Sequence, residues 1–231
     1  MAGRPQLAPY ADTARELESL LALPDHVIRD RLLALVRESG IVFRSQRTFE
    51  RLGWQGEPAP RFARFWRVEG GVVVPSTDPI LWNLRESLLR DDALLYASIL
   101  LHRRLNRYSA QWVGGMETAA IPLVAGLLAV NRACGYPLLN GFYIRKARKK
   151  NGLRRLLEGP MPARGTDVVL VDDILNKGIS KARLVDYCAQ NALNPRALLV
   201  LVDTKRKGTD LFSPVCPVDA IFTRSDVLGD R

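Results

Sequence analysis

Apolar residues recur at helical spacing over residues 12–38: Leu17, Leu20, Leu21, Val27, Leu32, Leu33, Leu35 and Val36. Steps of three and four place them on one stripe of a helix, and Pro24 breaks that stripe into two. Residues 40–75 change character. Gly40, Gly53, Gly56, Pro58, Pro60, Gly70 and Gly71 punctuate a run with interspersed aromatics, which predicts short strands and turns. Val72–Val74 reads as a strand that stops at Pro75. Helical rhythm returns over 80–106 through Leu94, Leu95, Ile99, Leu100 and Leu101. Beyond that point strands and helices alternate. Residues 111–115, 138–144, 167–171 and 196–202 read as strands, and 218–222, with Val215 before it, as an edge strand. Residues 119–132 and 180–191 read as helices. Uninterrupted apolar strands separated by helices predict a mostly parallel sheet covered on both faces. The organisation expected is a helical and strand hood over residues 1–89 and an α/β core over 90–231.

Composition narrows the setting. Of 231 residues, 47% are hydrophobic, enough to build a core. No run of 18 apolar residues occurs, so no membrane helix is expected. The first twenty residues lack an apolar stretch ahead of their charges, which speaks against a secretory signal and for the cytoplasm. Cys134, Cys188 and Cys216 are odd in number and widely spaced, the pattern of reduced, buried thiols rather than of a disulfide framework or metal site. The formal charge of +10 is compatible with nucleic acid, an anionic surface or a polyanionic small molecule as partner. Its densest cluster, Arg145, Lys146, Arg148, Lys149, Lys150, Arg154 and Arg155, flanks a strand and favours the small polyanion over nucleic acid.

The stretch Val168–Leu184 carries the most chemistry. Four apolar residues lead into Asp172 and Asp173, and in open α/β sheets ligands bind at the carboxyl ends of strands. A short turn with Gly178 follows, then a helix from about Ser180, whose first backbone N–H groups suit a phosphate. Asn176 and Ser180 add donors and Lys177 adds charge. Two carboxylates beside a phosphate cradle fit a sugar bearing a phosphate and a diphosphate. Its hydroxyls need acceptors, and it travels with Mg²⁺, a hard cation that takes oxygen ligands. An ordinary acidic strand end with a helix cap is the plainer alternative.

This stretch resembles the phosphoribosyl-pyrophosphate signature of the type I phosphoribosyltransferases. Upstream, Gly114, Gly115, Met116, Glu117 and Thr118, continuing to Pro122, resemble the family's pyrophosphate loop. Tyr143–Gly152 resembles the mobile catalytic loop of the orotate branch, and Leu157–Pro160 the segment where that loop folds back. Leu201–Thr204 resembles the late strand that closes the sheet. These pieces follow the family's order over roughly residues 90–225.

The resemblance implies an α/β type I phosphoribosyltransferase fold and transfer of a 5-phosphoribosyl group from phosphoribosyl pyrophosphate to a nucleobase nitrogen, orotate first among acceptors. It implies a homodimer in pyrimidine nucleotide synthesis. Carried over residue by residue, Lys149, Arg145 and Lys146 would meet the pyrophosphate. Asp172 and Asp173 would hold the ribose and Mg²⁺. Gly114–Thr118 and the turn Asn176, Lys177, Gly178, Ile179 and Ser180 would bind the phosphates.

The sequence departs from the family in identifiable places. Asn176 and Ile179 stand where the family has hydroxyl residues, and Lys177 where it has a small one. Asn151 stands where the orotate branch has a histidine, and an amide cannot serve as a general acid. The branch's pyrimidine-binding segment has no clear counterpart, its place being taken by Phe65–Gly71. Trp66 is a candidate for stacking on a base, while Trp54, Trp82 and Trp112 read as core residues. Two alternatives therefore stay open: a relative that binds phosphoribosyl pyrophosphate or a nucleotide as a regulator, and an enzyme acting on another base.

Overall fold

The computed structural model describes residues 10–45, 63, 66–69, 72–76, 78–147, 156–176, 179–204 and 212–229. Helices α1 (Tyr10–Ala22) and α2 (Asp25–Ser39) open the chain, separated at Pro24 as the periodicity predicts. Proline cannot donate the hydrogen bond an interior helical position requires, but it is tolerated at a helix start. Ile28, Leu32 and Val36, four residues apart, are the apolar face that α2 buries.

Three short strands follow: β1 (Ile41–Phe43), β2 (Trp66–Glu69) and β3 (Val72–Pro75). β2 and β3 pair antiparallel, with Pro75 as the last residue of β3 opposite Trp66. The helical rhythm over 80–106 divides. Ile80–Trp82 is strand β4, antiparallel to β1 with Ile41 opposite Trp82, and only then come helices α3 (Leu84–Leu88) and α4 (Asp91–Leu105). Three adjacent apolar residues suit either conformation, and here the backbone hydrogen bonds of β1 decide between them.

The core alternates β5 (Trp112–Met116), α5 (Ala120–Ala133), β6 (Asn140–Ile144), β7 (Leu157–Glu158), β8 (Asp167–Leu175), α6 (Ile179–Gln190), β9 (Asn194–Asp203), β10 (Val218–Thr223) and α7 (Arg224–Leu228). The six-stranded sheet has the order β10-β9-β8-β5-β6-β7. Every neighbour pairs in parallel except β7, which runs antiparallel to β6. Alternate residues of the central strands feed two apolar clusters. Val169, Val171, Leu199 and Leu201 join Leu100, Leu123 and Leu127 of α4 and α5 on one face. Val168, Leu170, Leu198 and Val200 join Leu184 and Cys188 of α6 on the other. Burial on both faces is why these strands read as unbroken apolar runs. The first cluster also takes in Ile28, Leu32, Val36, Phe43 and Leu84, so the segment before residue 90 shares its core with the sheet.

The last strand and helix fasten onto α2. Arg29 donates from Nε to the Ile221 carbonyl at 3.2 Å and pairs with Asp226 at 2.7 Å. Arg37 donates to the carbonyls of Asp226 and Val227 at 2.8 and 3.1 Å. Thr223 and Asp226 cap α7 reciprocally.

Candidate functional site

The order of the strands creates a crevice. From β5 the chain builds outward through β6, and from β8 it builds the other way through β9 and β10, so β5 and β8 flank the switch point where such sheets bind ligands. β5 pairs with β8 only at Val113–Val169 and Gly114–Leu170. β8 nevertheless stays on the β9 ladder as far as Leu175–Asp203. The strand is therefore longer than its apolar run: Asp172 and Asp173 lie within it, past the last contact with β5, rather than beyond its end. The β9 ladder satisfies the backbone there, so the side chains are free to be polar.

Asp172 is 5% exposed and Asp173 half-buried. The Asp173 N–H donates to Asp172 Oδ1 at 2.8 Å. Both line a cavity of about 230 Å³ with Ile174 and with Met116, Glu117, Thr118 and Ala119, which run from the end of β5 into α5. Lys146, just past β6, closes one side. The opposite wall comes from the N-terminal part, as Trp82 at the end of β4 and Arg85 in α3.

The loop after β5 is held tightly. A Cβ on Gly114 would meet the Phe142 ring at 2.3 Å, and one on Gly115 would meet the Val171 carbonyl oxygen at 2.3 Å and Ala120 Cβ at 2.5 Å. Both glycines are thus demanded by packing. The Glu117 N–H donates to the Ile144 carbonyl at 2.9 Å, so that donor is spent on β6. The Glu117 carboxylate accepts from the Lys146 N–H at 2.7 Å.

Arg145 and Lys146 follow β6. The Arg145 N–H donates to the Leu156 carbonyl at 2.8 Å. Its guanidinium lies 3.7 Å from Glu158 and donates to the Ala147 carbonyl at 3.3 Å. At the other end of the site, Thr204 Oγ1 lies 3.1 Å from the Leu175 carbonyl and 3.3 Å from Asn176 Oδ1, tying the start of the turn to the end of β9. Ile179 and Ser180 begin α6. Lys149, Asn151, Lys177 and Gly178 lie outside the described residues.

One cavity therefore brings together Asp172, Asp173, Met116, Glu117, Thr118 and Lys146 from three separate stretches of sequence. Gly114, Gly115, Arg145 and Asn176 are not among its described lining residues. Sequence reasoning missed Trp82 and Arg85. Trp82 had been read as core, and it does pack there in part, but it also forms the cavity wall. Arg85 is exposed, and its guanidinium makes no ion pair or hydrogen bond with any described residue. An aromatic followed three residues later by a cation at a strand-to-helix junction was the signal available.

No protein-family model matches the chain. The chain is 26% identical over 152 residues to the orotate phosphoribosyltransferase of Bradyrhizobium diazoefficiens, covering 64% of this chain and 80% of that protein. The crystal structure of Mycobacterium tuberculosis orotate phosphoribosyltransferase superposes with a TM-score of 0.63 at 19% identity, over 88% of this chain and 99% of the other. The same enzyme in complex with 5-phospho-α-D-ribosyl 1-diphosphate gives 0.52 at 18% identity, over 63% and 82%. The chain has the type I phosphoribosyltransferase fold and is similar in sequence to orotate phosphoribosyltransferases. The crevice between β5 and β8 is where this phosphoribosyltransferase fold carries its acidic strand, its glycine loop and the root of its cationic connection.

Proposed function

We propose that the chain transfers a 5-phosphoribosyl group from phosphoribosyl pyrophosphate to a ring nitrogen of a planar base, with orotate as the first acceptor to test. The observation that carries this reading is the convergence of Asp172, Asp173, Thr118 and Lys146 on one cavity at the switch point. The orotate phosphoribosyltransferase relatives and the neighbour bound to 5-phospho-α-D-ribosyl 1-diphosphate support it.

The bond from C1 of the ribose to the diphosphate oxygen breaks, a C1–N bond to the base forms, and the base nitrogen gives up its proton. Positive charge develops on the ribose, and the buried Asp172 carboxylate with Asp173 beside it holds the hydroxyls and balances that charge. Lys146 and Arg145, with Lys149 further along, neutralise the departing diphosphate. The turn from Asn176 to Ser180 and the N-terminus of α6 receive the 5-phosphate. Trp82 offers a face for the base and Arg85 a cation for a carboxylate on it.

The donors fit Mg²⁺. Asp172 and Asp173 line the cavity and offer the hard oxygens that such an ion takes alongside substrate phosphates. When bound, it supplies charge neutralisation to the diphosphate. The resemblance to the orotate branch further implies a homodimer, which sedimentation checks.

Calorimetric titration with phosphoribosyl pyrophosphate and Mg²⁺, followed by orotate and a pyrophosphate-release assay, tests the reading. Binding that is lost in Asp172→Asn/Asp173→Asn, together with pyrophosphate release, supports it. Binding without release points to a regulatory relative or another base, as the changed turn at Asn176, Lys177 and Ile179 would suit. No binding overturns it.

A further inference from the structure

Glu117 places a carboxylate in the loop expected to receive a diphosphate, where a negative charge works against the ligand. Its hydrogen bonds show what it does there. Its N–H donates back to the Ile144 carbonyl at 2.9 Å, and its side chain accepts from the Lys146 N–H at 2.7 Å. The two bonds bracket Arg145 from both sides along the chain. A third bond, from the Arg145 N–H to the Leu156 carbonyl, holds Arg145 from the opposite flank. The chain leaving β6 is thereby fixed in direction up to Lys146, which lines the cavity. The side chain reaches past the strand pairing, which ends at Met116–Ile144.

We infer that Glu117 is a positioning residue: its carboxylate clamps the Lys146 backbone and so aims Lys146 at the diphosphate. This rests on the phosphoribosyl-transfer reading. Glu117 acts as a hydrogen-bond acceptor rather than as a charge, which separates two variants. Glu117→Gln keeps an acceptor oxygen and removes the repulsion. Glu117→Ala removes both.

The experiment combines amide hydrogen exchange at Lys146 with steady-state kinetics on the full chain. The Lys146 amide is expected to be protected in the wild type and in Glu117→Gln, and to exchange roughly tenfold or more faster in Glu117→Ala. KM for phosphoribosyl pyrophosphate is expected to rise by about tenfold in Glu117→Ala, to stay level or fall in Glu117→Gln, and KM for the acceptor to be unmoved in both. A merely structural role would lower the melting temperature without splitting the two KM values. Unchanged exchange in Glu117→Ala, or equal damage in both variants, overturns the inference. A wild type that neither binds nor turns over phosphoribosyl pyrophosphate sinks the function reading instead, and the exchange data still judge the clamp.

Discussion

Gly115 and Val171 stand so close that a single methyl group on Gly115 would lie 2.3 Å from the Val171 carbonyl oxygen. They belong to β5 and β8, the two strands that part to form the crevice. The obstacle is backbone, which cannot rotate away as a side chain can. Gly115→Ala is therefore expected to destabilise the fold by about 1–3 kcal/mol, the usual cost of overpacking. It should also weaken phosphoribosyl pyrophosphate binding, because the wedge acts beside Asp172. Urea denaturation and calorimetry read the two effects.

Arg85 is exposed and lines the cavity beside Trp82. Arg85→Ala should raise KM for orotate by about tenfold or more while leaving KM for phosphoribosyl pyrophosphate nearly level. Uracil, which lacks the carboxylate, should be indifferent to the change. Steady-state kinetics with the two bases provide the check. An effect confined to the phosphoribosyl donor would place Arg85 on the diphosphate side.

His102 is 2% exposed, with Nε2 3.1 Å from Asn131 Oδ1 and the Tyr136 ring edge-on at 5.0 Å. Burial lowers its pKa, the Asn131 contact offsets part of that, and the Arg103 charge lowers it further. The unfolded chain, with an ordinary histidine pKa of about 6.5, thus binds a proton more readily than the folded one. The stabilising contribution is present above about pH 6.5 and is lost as pH falls below it. Urea midpoints between about pH 5 and 7.5 should decline toward acid, and less steeply in His102→Gln.

Cys188 and Cys216 are buried free thiols, and Cys134 is partly exposed. Burial pushes the Cys188 thiol up to about 12, with Cys216 adding to the effect, and it pushes Cys216 up to about 11. Neither forms the reactive thiolate near neutral pH. A thiol reagent should modify Cys134 first in the native protein and reach the other two only on unfolding. Mass spectrometry of the labelled peptides tests this, and early labelling of Cys188 would contradict it.

Much of the sheet was legible because burial on two faces leaves an unmistakable trace. Val168–Val171 and Ala197–Val202 could scarcely be anything but central strands. Features set by distant partners were not legible. Ile80–Trp82 becomes a strand only because β1 lies beside it, and Asp172–Leu175 stays extended only because β9 pairs with it. The end of β10 leads into a helix whose start is written in Thr223 and Asp226, a reciprocal cap local to the sequence. The acidic pair and the glycine loop were visible as motifs, since each is local. The far wall was not, because Trp82 and Arg85 reach the cavity through the pairing of β4 with β1 and the packing of α3 rather than through any spacing to the aspartates.

The arginines of α2 carry a consequence for how the protein is made. Arg29 and Arg37 bond to groups 189–192 residues further along the chain. During synthesis α2 emerges long before β10 and α7 exist, and its guanidinium groups must wait in water until nearly the whole sheet has been threaded. A contact of such long range forms late, after the loop-closure entropy has been met by the strands between. Docking α7 onto α2 thus reports that β10 and α7 have both been made.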